Sequence, residues 1–112
     1  MLIQAPSLSP VWWDEWDEQM EAYAAQHDLL YINFLDYQEE IGIDWNTDTY
    51  DTGLHLNVYG AEKLASYFGK ILVEECGVAD HRDDPALSAV WAEKVEAYNA
   101  QKAQLEAAYA AE

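Results

Sequence analysis

The sequence of 112 residues is poor in cysteine, proline and glycine, with one, three and five of them respectively. The single cysteine, Cys76, excludes an internal disulfide and a paired-cysteine metal site, and it leaves the redox compartment open. No apolar run approaches the roughly 18 residues of a membrane span, and no basic segment precedes an apolar one at the start of the sequence. We therefore expect a soluble chain with no visible signal peptide, whose localisation the sequence does not specify.

Positive charge is also scarce. Five lysines and arginines face 22 aspartates and glutamates, which gives a net charge of −17 at pH 7. Such a surface repels the phosphates of nucleic acids and of anionic membranes, so neither is expected as a partner. Hydrophobic residues make up 51% of the chain, among them five tryptophans and eight tyrosines, so a core can form. The composition predicts one small folded domain whose acidic residues cover solvated helix faces.

The first third of the sequence predicts a β-α-β unit. Apolar runs at residues 2–5 and 29–34 are predicted to be short buried strands. Between them, Ser9 and Pro10 resemble a helix cap followed by a first-turn proline, which predicts a helix over residues 10–27. Short links between these elements favour parallel pairing of the strands. A helical stripe is predicted to face the core, namely Trp13, Trp16, Met20, Tyr23, Ala24 and His27.

The rest of the sequence predicts a long loop and two helices. Residues 35–54 are acidic and rich in turn formers, so we expect a surface loop with a brief helical turn. Asn57 is predicted to cap a helix that runs to about Cys76, which we expect to be buried, with Gly77 as a left-handed stop. An Asp-Pro pair at 84–85 marks the start of the last helix. These elements predict an α/β domain over 1–78, followed by an acidic turn and a C-terminal helical extension over 79–112.

The segment at residues 51–63 carries the best candidate for chemistry. His55 lies just before a predicted helix, and a histidine can accept and return a proton near neutral pH. A general base of this kind needs an acid that fixes its tautomer, and Asp51 or Asp48 is close enough in sequence to provide it. Gly60 is interpreted as a position that permits close packing. On spacing alone, a structural or merely exposed histidine is the better explanation.

The same segment resembles a known family. Its pattern Asp-x-x-x-His-Leu-Asn-x-x-Gly-Ala-x-Lys, with a β-α-β unit before it and an amphipathic helix after it, resembles the C-terminal end of an SGNH/GDSL hydrolase. The resemblance covers roughly residues 1–75 and implies part of a flavodoxin-like three-layer α/β fold. It implies His55 as the general base and Asp51 as the orienting acid of a serine ester hydrolase. The implied substrate is a small-molecule or carbohydrate ester, and no cofactor or metal is implied.

The sequence departs from the family pattern in two ways. The family's acid usually lies three residues before the histidine, where this sequence has Thr52, so either the loop bulges at Gly53 or Asp48 takes the role. The family's nucleophile lies in a Gly-Asp-Ser-type segment, and none of the serines here has that context, namely Ser7, Ser9, Ser66 and Ser88. We therefore expect the C-terminal fragment of an ester hydrolase, truncated and inactive by itself.

A second hypothesis is a non-catalytic acidic α/β interaction module. It rests on an apolar row in the last predicted helix, at 85–111, with alternating steps of four and three broken only at Lys102. The row consists of Trp91, Val95, Tyr98, Leu105 and Tyr109. Self-association is expected through this helix or through exposed strand edges. A cation site at His81 with its neighbouring aspartates is a weaker interpretation than a solvated acidic turn.

Overall fold

The computed structural model describes residues 1–110 and shows a mixed α/β chain with two parallel strands and four helices. The strands are β1 (Leu2–Gln4) and β2 (Tyr31–Asn33), and the helices are α1 (Asp14–Gln26), α2 (Gln38–Ile41), α3 (Val58–Glu74) and α4 (Pro85–Tyr109). The predicted α/β class and the long C-terminal helix are confirmed. The flavodoxin-like arrangement of the family stays a prediction.

The chain divides into two compact units, Met1–Gly69 and Lys70–Glu112, and the division lies within α3. The last two residues of the predicted extension, and with them the end of the predicted 85–111 helix, lie outside the described residues. Within residues 1–110, no helix combines the length and the apolar character that crossing a bilayer requires.

The two strands form the parallel pair that the β-α-β pattern predicts, with Leu2 aligned to Tyr31. The ladder continues at both ends. The Leu2 amide donates to the Leu30 carbonyl at 2.8 Å, and the Phe34 amide donates to the Gln4 carbonyl at 2.9 Å. Because the strands are parallel, the segments that follow them begin at the same edge of the sheet.

The core of the Met1–Gly69 unit is small and centred on Phe34. Its side chain is fully buried, and the other buried hydrophobic residues are Ala24, Ile32 and Ile41. The Phe34 ring meets the rings of Phe68 and Tyr67 edge-on, with centroids 5.3 and 6.3 Å away. Edge-to-face pairs of this kind contribute about 0.5–1.5 kcal/mol each beyond the burial of their area. One face of α3 is thereby fixed against the end of β2.

Two predictions for the first helix are wrong. The helix begins at Asp14 rather than at residue 10, and its N-cap Trp13 makes no capping bond through its side chain. Pro10 instead lies in a tight turn, in which the Trp12 amide donates to the Ser9 carbonyl at 3.2 Å. Most of the predicted core stripe is also exposed, with Trp13 57% and Trp16 46% accessible, whereas Ala24 is buried as predicted.

The physical reason for the exposed stripe is the size of the sheet. Two strands of three residues offer α1 little apolar surface, so Ala24 is its one buried residue. The tryptophans cover one another instead, with the rings of Trp13 and Trp16 stacked at 6.0 Å. Helical periodicity correctly identified residues that share one face of the helix. Burial of that face requires an apolar surface packed against it, which the described residues do not supply.

The predicted helix ends are mostly confirmed. The Asn57 side chain accepts from the Tyr59 amide at 2.9 Å at the start of α3, and Asp84 accepts from two amides at the start of α4. Gly77 has φ +66°, as a left-handed stop requires, although α3 itself ends at Glu74. Cys76, predicted to be buried, is exposed because the chain has already left the helix there.

Candidate acid–base site before helix α3

The loop before α3 is organised by Asp48, which is 2% exposed. Its carboxylate accepts from the Asp44 amide at 2.7 Å and from the Lys63 ammonium at 2.6 Å. Its own amide donates to the Asp44 carbonyl at 2.8 Å, which closes a tight turn. A buried carboxylate is stable only when donors surround it, so this network fixes the loop against α3.

Asn57 joins the same loop to the first turn of α3. Its amide donates to the Asp48 carbonyl at 2.8 Å, and its side-chain nitrogen donates to the Thr47 carbonyl at 2.7 Å. Its side-chain oxygen caps the helix. A short antiparallel bridge between Thr49 and Leu56 completes the closure. Residues 50–55 therefore form a small loop whose two ends are held together directly in front of α3.

The closed loop brings His55 and Asp51 together. One carboxylate oxygen, Oδ2 of Asp51, contacts Nδ1 of His55, and the other accepts from the His55 backbone amide at 2.7 Å. Thr52 and Gly53 both have positive φ, +59° and +100°, so the chain reverses between the acid and the histidine. This reversal corresponds to the first of the two alternatives, a bulge at Gly53, and it allows an acid four residues away to reach the ring.

Two further hydrogen bonds fix the loop of residues 50–55 in place. The Gly53 amide donates to the Thr49 hydroxyl at 3.0 Å, and the Gly53 carbonyl accepts from the Leu8 amide at 2.8 Å. A Cβ at Gly53 would lie 2.8 Å from Cδ1 of Leu8, so the close approach needs a glycine as much as the positive φ does. The segment that follows β1 is thus one wall of the histidine loop.

The electrostatics of the pair follow from this geometry. The hydrogen bond from the His55 side chain is the main reason that the pKa of Asp51 lies below its usual range, and partial desolvation opposes the shift. An ionised Asp51 favours the tautomer with the proton on Nδ1, which leaves a lone pair on Nε2 of the neutral ring. The side chain of His55 is 65% exposed, so a reacting group can approach it. The pair has the arrangement of a general base held by an acid.

Asp48, the alternative acid, lies elsewhere. Its carboxylate is committed to Lys63 and to the Asp44 amide, so the residue that meets the imidazole is Asp51. The sequence contained no signal that separates the two aspartates, because both lie within a single loop of the histidine. Lys63 lies about one and a half helical turns after the cap residue Asn57. Its position is the one feature of the sequence that indicates an ionic partner for Asp48.

Two contacting residues were not singled out from the sequence. The Tyr50 ring stacks on the His55 ring with centroids 5.7 Å apart and planes 9° from parallel. The Ser7 hydroxyl donates to the Leu54 carbonyl at 2.9 Å, so this serine supports the loop and its proton is engaged with a carbonyl. The position of Tyr50 directly before Asp51 was the available signal for this residue, whereas Ser7 is 47 residues away from its partner in the sequence and gave no signal.

A groove of about 370 Å³ lies beside the pair, because Tyr50, whose ring stacks on the His55 ring, is also part of the groove lining. Its lining consists of Leu8, Trp45, Asn46, Thr49, Tyr50 and Thr52. Two aromatic rings and several hydroxyl or amide groups suit a ligand that is partly apolar and partly polar.

The acidic turn around His81 has other partners. Arg82 donates to both carboxylate oxygens of Asp80, and this ion pair lowers the pKa of Asp80 to about 2. Asp84 is the cap of α4. Among residues 1–110, no three side chains of the types that bind metals come together in a way that would hold an ion.

No protein-family model matches the chain, and no curated protein or solved structure matches it.

Proposed function

We propose that this chain carries the histidine–aspartate part of a serine ester hydrolase site of the SGNH/GDSL type. The observation that supports the proposal best is the contact between Asp51 and Nδ1 of His55, in a loop that leaves the imidazole accessible. In the proposal His55 is the general base and Asp51 the orienting acid. The nucleophilic serine and the oxyanion donors come from polypeptide outside this sequence, because no serine here lies in a Gly-Asp-Ser-type segment.

The proposed chemistry is acyl transfer in two steps. Nε2 of His55 takes the proton of the serine hydroxyl while the serine oxygen attacks the acyl carbon, and the protonated ring then gives that proton to the departing alcohol. Water repeats the sequence in the second step and releases the acid. Asp51 stays ionised throughout and stabilises the imidazolium that forms in each step. The groove beside Tyr50 is the proposed site for one part of a small-molecule or carbohydrate ester.

The mixed α/β fold with its parallel strands is consistent with this assignment. In the proposal β1 and β2 are late strands of a flavodoxin-like sheet, and the loops after them lie at the carboxyl edge, where α/β proteins bind ligands. The contact between the segment after β1 and the histidine loop supports that placement, since both belong to this edge.

The first test is the hydrolysis of p-nitrophenyl acetate. We expect the 112-residue chain to add nothing to the background rate, because it lacks the nucleophile. A longer polypeptide that contains an in-frame Gly-Asp-Ser-type segment upstream of Met1 is expected to hydrolyse the ester, and His55→Ala is expected to lower its kcat/KM at least about 100-fold.

The matched control is His27→Ala. His27 follows α1 and packs against the Tyr23 ring, so its loss is expected to leave the rate unchanged. If the longer polypeptide keeps most of its activity without the His55 imidazole, the proposed role of His55 is wrong.

A further inference from the structure

The last helix carries an apolar row that is open to solvent. Every residue of this row is between 41% and 58% exposed, and α4 has no buried residue. The row consists of Trp91, Val95, Tyr98, Leu105 and Tyr109, and we call it, together with Lys102, the α4 seam. Its steps alternate between four and three residues, which is the spacing of a helix that packs along another helix. Lys102 takes the one position of the row that is not apolar.

The charge distribution makes α4 a part of the chain where a second copy meets little repulsion. The whole chain has a net charge of −17, whereas α4 has three glutamates and two lysines, a net of −1. None of these glutamates lies in the seam, and Lys102 is its one charged member. A like-charged copy can therefore approach this face more easily than the strongly acidic remainder.

We propose that the α4 seam binds the α4 seam of a second copy of this chain, with the two helices antiparallel. In the register that aligns the rows, Trp91 lies opposite Tyr109 of the second copy and Val95 opposite Leu105. Tyr98 then lies opposite Lys102, where an ammonium group over an aromatic ring is favourable. Each contact occurs twice because of the two-fold symmetry.

A parallel pair has two electrostatic disadvantages. It places Lys102 opposite Lys102 of the second copy, so that two like charges face each other inside the seam. It also brings the acidic residues that precede Pro85 in both copies to the same end. The antiparallel pair separates the starts of the two helices by roughly 45 Å, which is several times the Debye length of about 8 Å at physiological salt.

A groove on α4 fits the proposed contact. It has a volume of about 480 Å³, and its lining includes Leu87, Trp91 and Val95 together with the polar residues His81, Arg82 and Ser88. The antiparallel register places the Tyr109 ring of the second copy over this apolar floor. A tyrosine suits such a groove because its ring is apolar while its hydroxyl needs a polar neighbour.

The area is sufficient for a modest dimer. The exposed parts of three aromatic and two aliphatic side chains amount to roughly 400–500 Å² per chain, since one aromatic side chain offers about 150–250 Å² in total. With the flanking residues Leu87 and Ala92, two copies bury about 1,200 Å², which is the lower limit for stable interfaces. We therefore expect a dissociation constant in the micromolar range. This inference does not depend on the proposed hydrolase function.

Sedimentation equilibrium of the full chain, under reducing conditions, tests the dimer. The wild-type chain is expected to be dimeric at tens of micromolar, and Val95→Asp is expected to raise the dissociation constant at least about tenfold because it places a carboxylate in the seam. Val90→Asp is the matched control, since Val90 is 53% exposed on the same helix, against 51% for Val95, but lies outside the seam. Circular dichroism checks that both variants keep their helix content.

Cysteine cross-linking tests the orientation, in a Cys76→Ser background because Cys76 is exposed and free. A mixture of the Val95→Cys and Leu105→Cys chains is expected to form a mixed disulfide, whereas neither chain alone forms one. Disulfides in the Val95→Cys chain alone would show a parallel pair and overturn the register. A monomeric wild-type chain, or equal effects of Val90→Asp and Val95→Asp, would overturn the interface itself.

Discussion

Gly60 is the position at which a single methyl group tests the packing of the histidine loop most directly. It lies in the first turn of α3, and a Cβ there would lie 2.5 Å from the Asp48 carbonyl oxygen and 3.0 Å from Cδ2 of Leu56. The Asp48 carbonyl is a backbone atom that also accepts the Asn57 amide at 2.8 Å, so it cannot give way without loss. Gly60→Ala is therefore expected to push the loop away from the helix.

The expected magnitude follows from three opposing effects. Alanine in place of glycine stabilises a helix by at most about 1 kcal/mol. Overpacking against a fixed neighbour costs about 1–3 kcal/mol, and a weakened hydrogen bond from Asn57 to Asp48 costs about 0.5–1.5 kcal/mol. The clash outweighs the gain, so Gly60→Ala is expected to lower the free energy of unfolding by about 1–3 kcal/mol.

The matched control is Gly69→Ala in the same helix. Nothing lies within 4 Å of a Cβ at Gly69, so only the gain in helix propensity applies and the variant is expected to be more stable by about 0.5–1 kcal/mol. Urea denaturation followed by circular dichroism measures both, with an unchanged m-value as the check on comparability. If Gly60→Ala is as stable as Gly69→Ala, the close contact between α3 and the Asp48 carbonyl does not exist.

Three further substitutions and a change in pH address the same loop. Lys63→Met is expected to lower the free energy of unfolding by about 1–3 kcal/mol because it leaves the buried Asp48 carboxylate without its counter-ion, and Asp48→Asn by less, since the remaining Lys63 is 41% exposed and can be solvated. Asn57→Ala removes the cap of α3 and is expected to cost about 1 kcal/mol or more. His55 lowers the pKa of Asp51, so the carboxylate stabilises the fold at neutral pH, and this stabilisation is lost as the pH falls through the folded-state pKa.

Denaturation curves measure the first two effects, and a loss for Lys63→Met no larger than that for Asp48→Asn would contradict the need of the buried carboxylate for its counter-ion. For the cap, an Asn57→Asp chain serves as the control, because it keeps the oxygen that accepts from the Tyr59 amide. Carbon NMR of the Asp51 carboxyl group measures its pKa, which is expected to rise toward the usual range in His55→Ala. An unchanged titration there would show that the contact with the imidazole does not form in solution.

Local signals in the sequence predicted local structure well. The caps at Asn57 and Asp84 and the stop at Gly77 each depend on a few neighbouring residues, and the structure confirms all three. The parallel pairing of β1 and β2 is also confirmed, since short connections leave few alternatives. The predicted start of α1 was wrong because Pro10 suits a tight turn as well as the first turn of a helix. No local feature of the sequence distinguishes these two conformations.

Burial was harder to predict than periodicity. The apolar stripe of α1 was predicted to be core, yet Trp13 and Trp16 are exposed, and Cys76 is exposed as well. Whether an apolar face is covered depends on how much surface the rest of the fold supplies, and two short strands supply little.

The sequence by itself determined that this is a strongly acidic α/β chain whose candidate chemistry lies at His55. The tertiary structure decided which aspartate meets the imidazole, because the choice depends on Lys63 and on the positive φ at Thr52 and Gly53. Lys63 holds Asp48 in the interior, and the reversed loop turns Asp51 back onto the ring. Spacing along the chain limits the partners that a side chain can reach, but only the folded path of the loop selects among them.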